Sequence, residues 1–202
     1  MNIIFDLGGV VFNWQPDILI QQVFEDPKDQ AQVKSMLFQH ADWLALDRGT
    51  LTTREAAKRA AERTGITESR FMYILDRVPS CLTPITETID LMYELKNEGH
   101  RIFILSNMQI ESILYLEAKH SFWEIVDGRV ISCRIKKIKP EIEIFDHLLK
   151  TFQINPSESI FIDDTDVNVI AAESMGIHTI LFSGPQQCRS ALVAKGVFQN
   201  NT

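Results

Sequence analysis

The chain has 202 residues, 45% of them hydrophobic, and a formal net charge of -7. That length supports one sizeable core, or a core with a small accessory domain. The negative balance argues against binding nucleic acid or an anionic membrane through a basic surface, and no apolar run reaches the roughly 18–20 residues of a membrane span.

In chain order, the first predicted element is a buried strand, Asn2–Phe5, which delivers Asp6 and the turn Leu7-Gly8-Gly9. Asp6 interrupts this apolar start and no basic segment precedes it, so no signal peptide is expected. Residues 15–82 hold no convincing strand. Amphipathic helices fit Asp17–Glu25, Pro27–His40, Thr52–Arg63 and Glu68–Val78. Thr52 and Glu55 form a capping box, and Gly65 is the expected C-cap. The polar stretch "LALDRGTLT", with Asp47 and Arg48, reads as a loop, with substrate contact by these two residues as the alternative. Thr83-Pro84 opens the next helix as N-cap and first turn, and Gly99 ends it.

Strand Arg101–Leu105 follows, then Ser106-Asn107. Pro140 opens a helix with Ile142, Phe145, Leu148 and Leu149 on one side, and Lys139 stands just before it. Strand Ser159–Ile162 leads to Asp163-Asp164, and a helix runs from Asp166 to Gly176. Strand His178–Phe182 and a short helix, Gln187–Ala194, close the pattern before a frayed tail. Buried strands alternating with helices imply right-handed βαβ units. The fold class is α/β: a doubly wound, mostly parallel, Rossmann-like sheet formed by 1–14 and 83–202, with a helical cap of residues 15–82.

Ligands of such sheets bind beyond the carboxyl ends of the strands. There the pattern gathers Asp6, Ser106, Asp163 and Asp164, with Lys139 in reach. Carboxylate oxygens with few protein ligands suit Mg²⁺ beside a substrate phosphate. A carboxylate next to such an ion can attack phosphorus. A lysine neutralises the charge that gathers there, and a hydroxyl and backbone N–H groups hold the phosphoryl oxygens.

These residues, in "FDLGGV", "ILSN", "KPEIEIF" and "FIDDTDVNVIAAESMG", resemble the four motifs of the haloacid dehalogenase-like hydrolase superfamily in type, order and spacing. "DLGGV" and the double aspartate are most similar to bacterial sugar phosphatases of the α-D-glucose-1-phosphate phosphatase type. The resemblance implies a cytoplasmic Mg²⁺-dependent phosphatase of small phosphorylated metabolites, working as monomer or homodimer. It makes Asp6 the nucleophile and a metal ligand, Gly8 a metal ligand through its carbonyl, and Asp164 the second metal carboxylate. Asp163 orients Asp164 or binds a metal-bound water, and Asn168 supports that loop. Ser106 holds the phosphoryl group with help from the Asn107 backbone, and Lys139 neutralises charge. Lys137 is the alternative lysine. Two other readings stand beside it: a 2-haloacid dehalogenase-type hydrolase, and a catalytically weak relic that binds a phosphorylated ligand.

One position departs from the family. Most of its phosphatases carry aspartate two residues after the nucleophile, as general acid. Gly8 carries no side chain, and nothing near it in the sequence replaces that acid. A positioned acid contributes typically about 10²–10⁴ in rate, so the glycine tilts the expected substrate toward esters with a good leaving group. The three widely spaced cysteines form no metal or redox pattern and are expected as reduced thiols of a cytosolic protein. The five histidines lack ligand spacing. Trp14, Trp43 and Trp123 are expected chiefly as packing residues.

Overall fold

The computed structural model describes residues 1–198. Strand β1 (Asn2–Phe5) is followed by a two-residue strand, β2 (Phe12–Asn13). A run of helices comes next: α1 (Pro16–Val23), α2 (Pro27–Val33) with a π-helical extension over Lys34–Phe38, and α3 (Ala41–Arg48). Then come α4 (Thr53–Thr64), α5 (Glu68–Leu75) and the short α6 (Val78–Cys81). Strand β3 (Thr83–Pro84) pairs antiparallel with β2.

The remainder alternates: α7 (Thr86–Asn97), β4 (Arg101–Ser106), α8 (Ile110–Lys119), β5 (Gly128–Ile131) and the four-residue α9 (Ser132–Ile135). After these come α10 (Ile142–Phe152), β6 (Ser159–Asp163), α11 (Asp166–Ser174), β7 (His178–Leu181) and α12 (Pro185–Ala194).

Five strands make one parallel sheet in the order β5-β4-β1-β6-β7. Side chains alternate between its faces, and both faces are covered. Ile3, Phe5, Ile104 and Ile162 pack with Leu91, Met92, Ile113 and Leu192 of α7, α8 and α12. Ile4, Phe103 and Phe161 pack with Phe145 and Leu148 of α10 and Ala172 of α11. The helices before β3 enclose their own apolar cluster around Phe24, Leu37, Ala57 and Phe71. Thr52 and Glu55 form the expected capping box, and Gly65 takes the left-handed C-cap.

Four elements differ from the sequence pattern. Thr83-Pro84 is not the start of a helix: it pairs with Phe12–Asn13, and α7 begins at Thr86. Pro140 likewise precedes its helix, which starts at Ile142. Strand β5 is an edge strand whose Gly128-Arg129 start hides its two buried residues, Val130 and Ile131. The "LALDR" stretch is helical: α3 buries Asp42, Leu46 and Asp47 and leaves Leu44 exposed. The tail beyond residue 198 lies outside the described residues.

Candidate active site

Parallel register puts the functional groups at one edge. Phe5 pairs with Ile104 on one side and Ile162 on the other, so the next residue, Asp6, comes level with Asp163. The Asp6 N–H donates to the Ile162 carbonyl at 2.9 Å, which continues the ladder into the turn. Both β4 and β6 run one residue further than their apolar patterns, and the added residues are Ser106 and Asp163.

Lys139 is 3% exposed and its ammonium bridges two carboxylates, 2.8 Å from Asp6 Oδ1 and 2.6 Å from Asp163 Oδ2. Lys137 takes no part in this bridge. Burial works against the Lys139 charge, but Asp6 and Asp163 outweigh it and hold the ammonium above its ordinary pKa. Asp6 is pushed up to about 7 by burial, against the pull of Lys139 and with repulsion from Asp163. Its Oδ1 also accepts the Leu7 N–H at 2.7 Å. Oδ2 accepts no hydrogen bond among the described residues.

Asp163 is fully buried and occupied: it accepts the Thr165 N–H at 2.9 Å and the Asn168 amide at 3.1 Å, besides Lys139. Asp164 instead lines the cavity, its pKa raised by burial and by Asp163. The geometry therefore separates the two aspartates, one holding the lysine and one facing the cavity. Carboxylate oxygens of Asp6, Asp163 and Asp164 lie within 4.8 Å of one another. Such a set of hard oxygens fits a small divalent cation. Gly9 permits this spacing. Its φ is +77°, and a Cβ there would stand 2.0 Å from Asp164 Oδ2.

The Ser106 hydroxyl is fully buried with no hydrogen-bond partner. An orphaned buried hydroxyl is costly and calls for a ligand or water. Asn107 lines the same cavity, and its side chain is engaged with the lysine loop. Its amide donates to the Lys139 carbonyl at 2.9 Å and accepts the Lys139 N–H at 2.7 Å, so it holds the lysine loop.

Above these groups lies a cavity of about 250 Å³. Its apolar walls are Trp14, Trp43, Val78, Leu82 and Met108. Trp14 and Trp43 stack at 5.5 Å between ring centroids. Trp123 is elsewhere, against Phe122, its indole N–H donated to the Leu116 carbonyl. The polar lining includes Gln109 and Ser112, whose amide nitrogen and hydroxyl are buried without partners.

Asp47, for which the sequence favours a loop over a substrate contact, is a helical residue that faces the cavity. It lies on α3, is 8% exposed and faces into this cavity. Its signal is helical spacing: Trp43 and Asp47 are one turn apart on one face. All three cysteines are free thiols. No helix of the described residues is long and apolar enough to cross a membrane.

Comparisons with known proteins agree with this geometry. The family described as haloacid dehalogenase-like hydrolase matches residues 3–182. A sesquiterpene phosphatase of Aspergillus oryzae is 28% identical over 86% of this chain and 85% of its own. A D-ribitol-5-phosphate phosphatase of Bacteroides thetaiotaomicron is 24% identical over 88% and 89%. A crystal structure of a mutant enzyme of the same family from that bacterium, in complex with magnesium and inorganic phosphate, superposes with a TM-score of 0.73 at 22% identity, covering 91% of this chain and 94% of that one.

Proposed function

The chain belongs to the haloacid dehalogenase-like hydrolases, and from that premise we propose a Mg²⁺-dependent phosphatase of small phosphorylated metabolites that works through an aspartyl phosphate on Asp6. The observation that carries the reading is the buried lysine between Asp6 and Asp163, with the Asp164 carboxylate and the cavity next to them. Phosphatase relatives that this chain matches along most of its length support the reaction class.

Asp6, Asp164 and the Gly8 carbonyl are the groups that would hold Mg²⁺, with Asp163 behind them. When bound, the ion supplies positive charge against the carboxylates and the phosphoryl oxygens. Asp6 Oδ2, the free oxygen, attacks phosphorus and the bond to the leaving oxygen breaks. Lys139 holds Asp6 oriented and counters the charge of the phosphoryl group, and the Ser106 hydroxyl finds its missing partner there. Water then attacks the phosphorus, the aspartyl bond breaks, and phosphate leaves.

Residues 15–82 act as the cap over a core of 1–14 and 83–202, with the short β2–β3 pair as the joint between them. Three free thiols support a reducing, cytoplasmic setting.

Phosphate release tests this reading, using sugar, polyol and acyl phosphates with Mg²⁺ and with EDTA. Mg²⁺-dependent release that Asp6→Asn abolishes is the expected result. Equal release in EDTA, or an active Asp6→Asn, would sink the proposal. Halide release from chloroacetate would instead support the dehalogenase reading.

A further inference from the structure

A departing alkoxide needs a proton, and position 8, a glycine, has none to give. A carboxyl enters the same cavity from the helical side. Asp47 is buried, lines the cavity with Asp6, Asp164 and Lys139, and takes part in no ion pair among the described residues. Its backbone is held from three directions. The Ser132 hydroxyl donates to the Asp47 carbonyl at 2.5 Å and accepts the Met108 N–H at 2.9 Å. The next residue, Arg48, makes a two-pronged ion pair with Glu141, at 2.8 and 2.5 Å. Then Gly49, at φ +70°, packs so closely that a Cβ would meet the Cys133 carbonyl at 2.7 Å. A buried carboxyl held this firmly, with no ion-pair partner among the described residues, is poorly explained by packing alone.

We propose that Asp47 is the proton donor to the leaving oxygen, in place of the acid absent at position 8. The proposal rests on the phosphatase reading above. In-line displacement places the leaving oxygen on the side of phosphorus away from Asp6, and Asp47 enters the same cavity from a different element, α3. As the Asp6–phosphorus bond forms, the bond to the leaving oxygen breaks and its electron pair stays on that oxygen. The Asp47 proton moves to it, giving a neutral alcohol. In the second half, the Asp47 carboxylate takes a proton from the attacking water, and the aspartyl bond breaks to restore the Asp6 carboxylate. Both groups end as they began.

The charged and titratable groups around Asp47 are Asp6 after β1, Lys139 before α10, Asp164 after β6 and the Cys133 thiol in α9. Burial, and then Asp6, push Asp47 up to about 7, with Lys139 and the Gln109 backbone N–H opposing. A carboxyl near that value both gives and retakes a proton at neutral pH.

The test compares p-nitrophenyl phosphate with benzyl phosphate, two esters of similar shape without further hydroxyls, under Mg²⁺. Nitrophenolate is a weak base and leaves unaided, whereas benzyl alkoxide needs a proton. Asp47→Asn is expected to lower kcat/KM for benzyl phosphate by about 10²–10⁴ and for p-nitrophenyl phosphate far less. Equal losses, or no loss, would overturn the role of Asp47 and leave the phosphatase reading standing. A wild-type enzyme that releases phosphate from neither ester, nor from the metabolite panel, would overturn both. The wild-type enzyme provides a check free of any folding defect: with the donor at work, its rate depends weakly on leaving-group basicity across substituted phenyl phosphates. A steep dependence would contradict the proposal.

Discussion

Gly8 and Gly9 are neighbours with opposite constraints. A Cβ on Gly8 meets nothing within 4 Å, whereas on Gly9 it collides with the Asp164 carboxylate at a left-handed backbone. Gly9→Ala is expected to lower stability by at least the roughly 1–2 kcal/mol of left-handed strain, and Gly8→Ala to leave the melting temperature unchanged. Thermal melts of the two variants decide it, and equal shifts would contradict the close approach of Gly9 to Asp164. Asp6, Ser106, Asp163 and Asp164 were legible because each follows an apolar strand, and strand ends share an edge whatever the sheet order. Lys139 was legible from its place before Pro140. Asp47 was legible only as the alternative to a loop, because what fixes it, Ser132 and the Arg48–Glu141 pair, comes from distant parts of the chain.

At the scale of elements, α3 is the part the sequence hid and the part the cavity needs. Its first turn is tied to α4 by Asp42, which is 6% exposed and accepts hydrogen bonds from Arg59 at 3.1 Å and Arg63 at 2.8 Å. Burial raises the Asp42 pKa, but the hydrogen bonds from Arg63 and Arg59 outweigh it and hold the carboxyl below its usual value. A depressed carboxylate stabilises above its unfolded pKa of about 3.9 and loses that contribution as pH falls through the folded value. Asp42→Asn is therefore expected to cost about 1–3 kcal/mol at neutral pH, with the deficit shrinking below about pH 4. Denaturant titrations across that window check it, and a deficit independent of pH would count against the pair. The β2–β3 pair and the edge strand β5 escaped the sequence for a related reason. Two-residue strands carry no periodicity, and β5 buries only its last two residues, unlike the fully apolar four-residue β1.

For the whole molecule, charge concentration is the organising fact. Three carboxylates and one ammonium meet at the end of a parallel sheet, under a helical layer with its own apolar cluster. Such a site repels itself when empty, so a divalent cation is expected to stabilise the fold, by an amount that grows with the logarithm of its free concentration once that exceeds Kd. Mg²⁺ is expected to raise the melting temperature of the wild-type protein and not that of Asp164→Asn. An equal rise in both would remove Asp164 from the site. The central claim, covalent catalysis by Asp6, is tested most directly by acid quench during turnover of a radiolabelled phosphate ester with Mg²⁺, followed by mapping of the label. The account predicts an alkali-labile phosphoryl group on the peptide that contains Asp6. Phosphate release that proceeds while that peptide never carries label would contradict it.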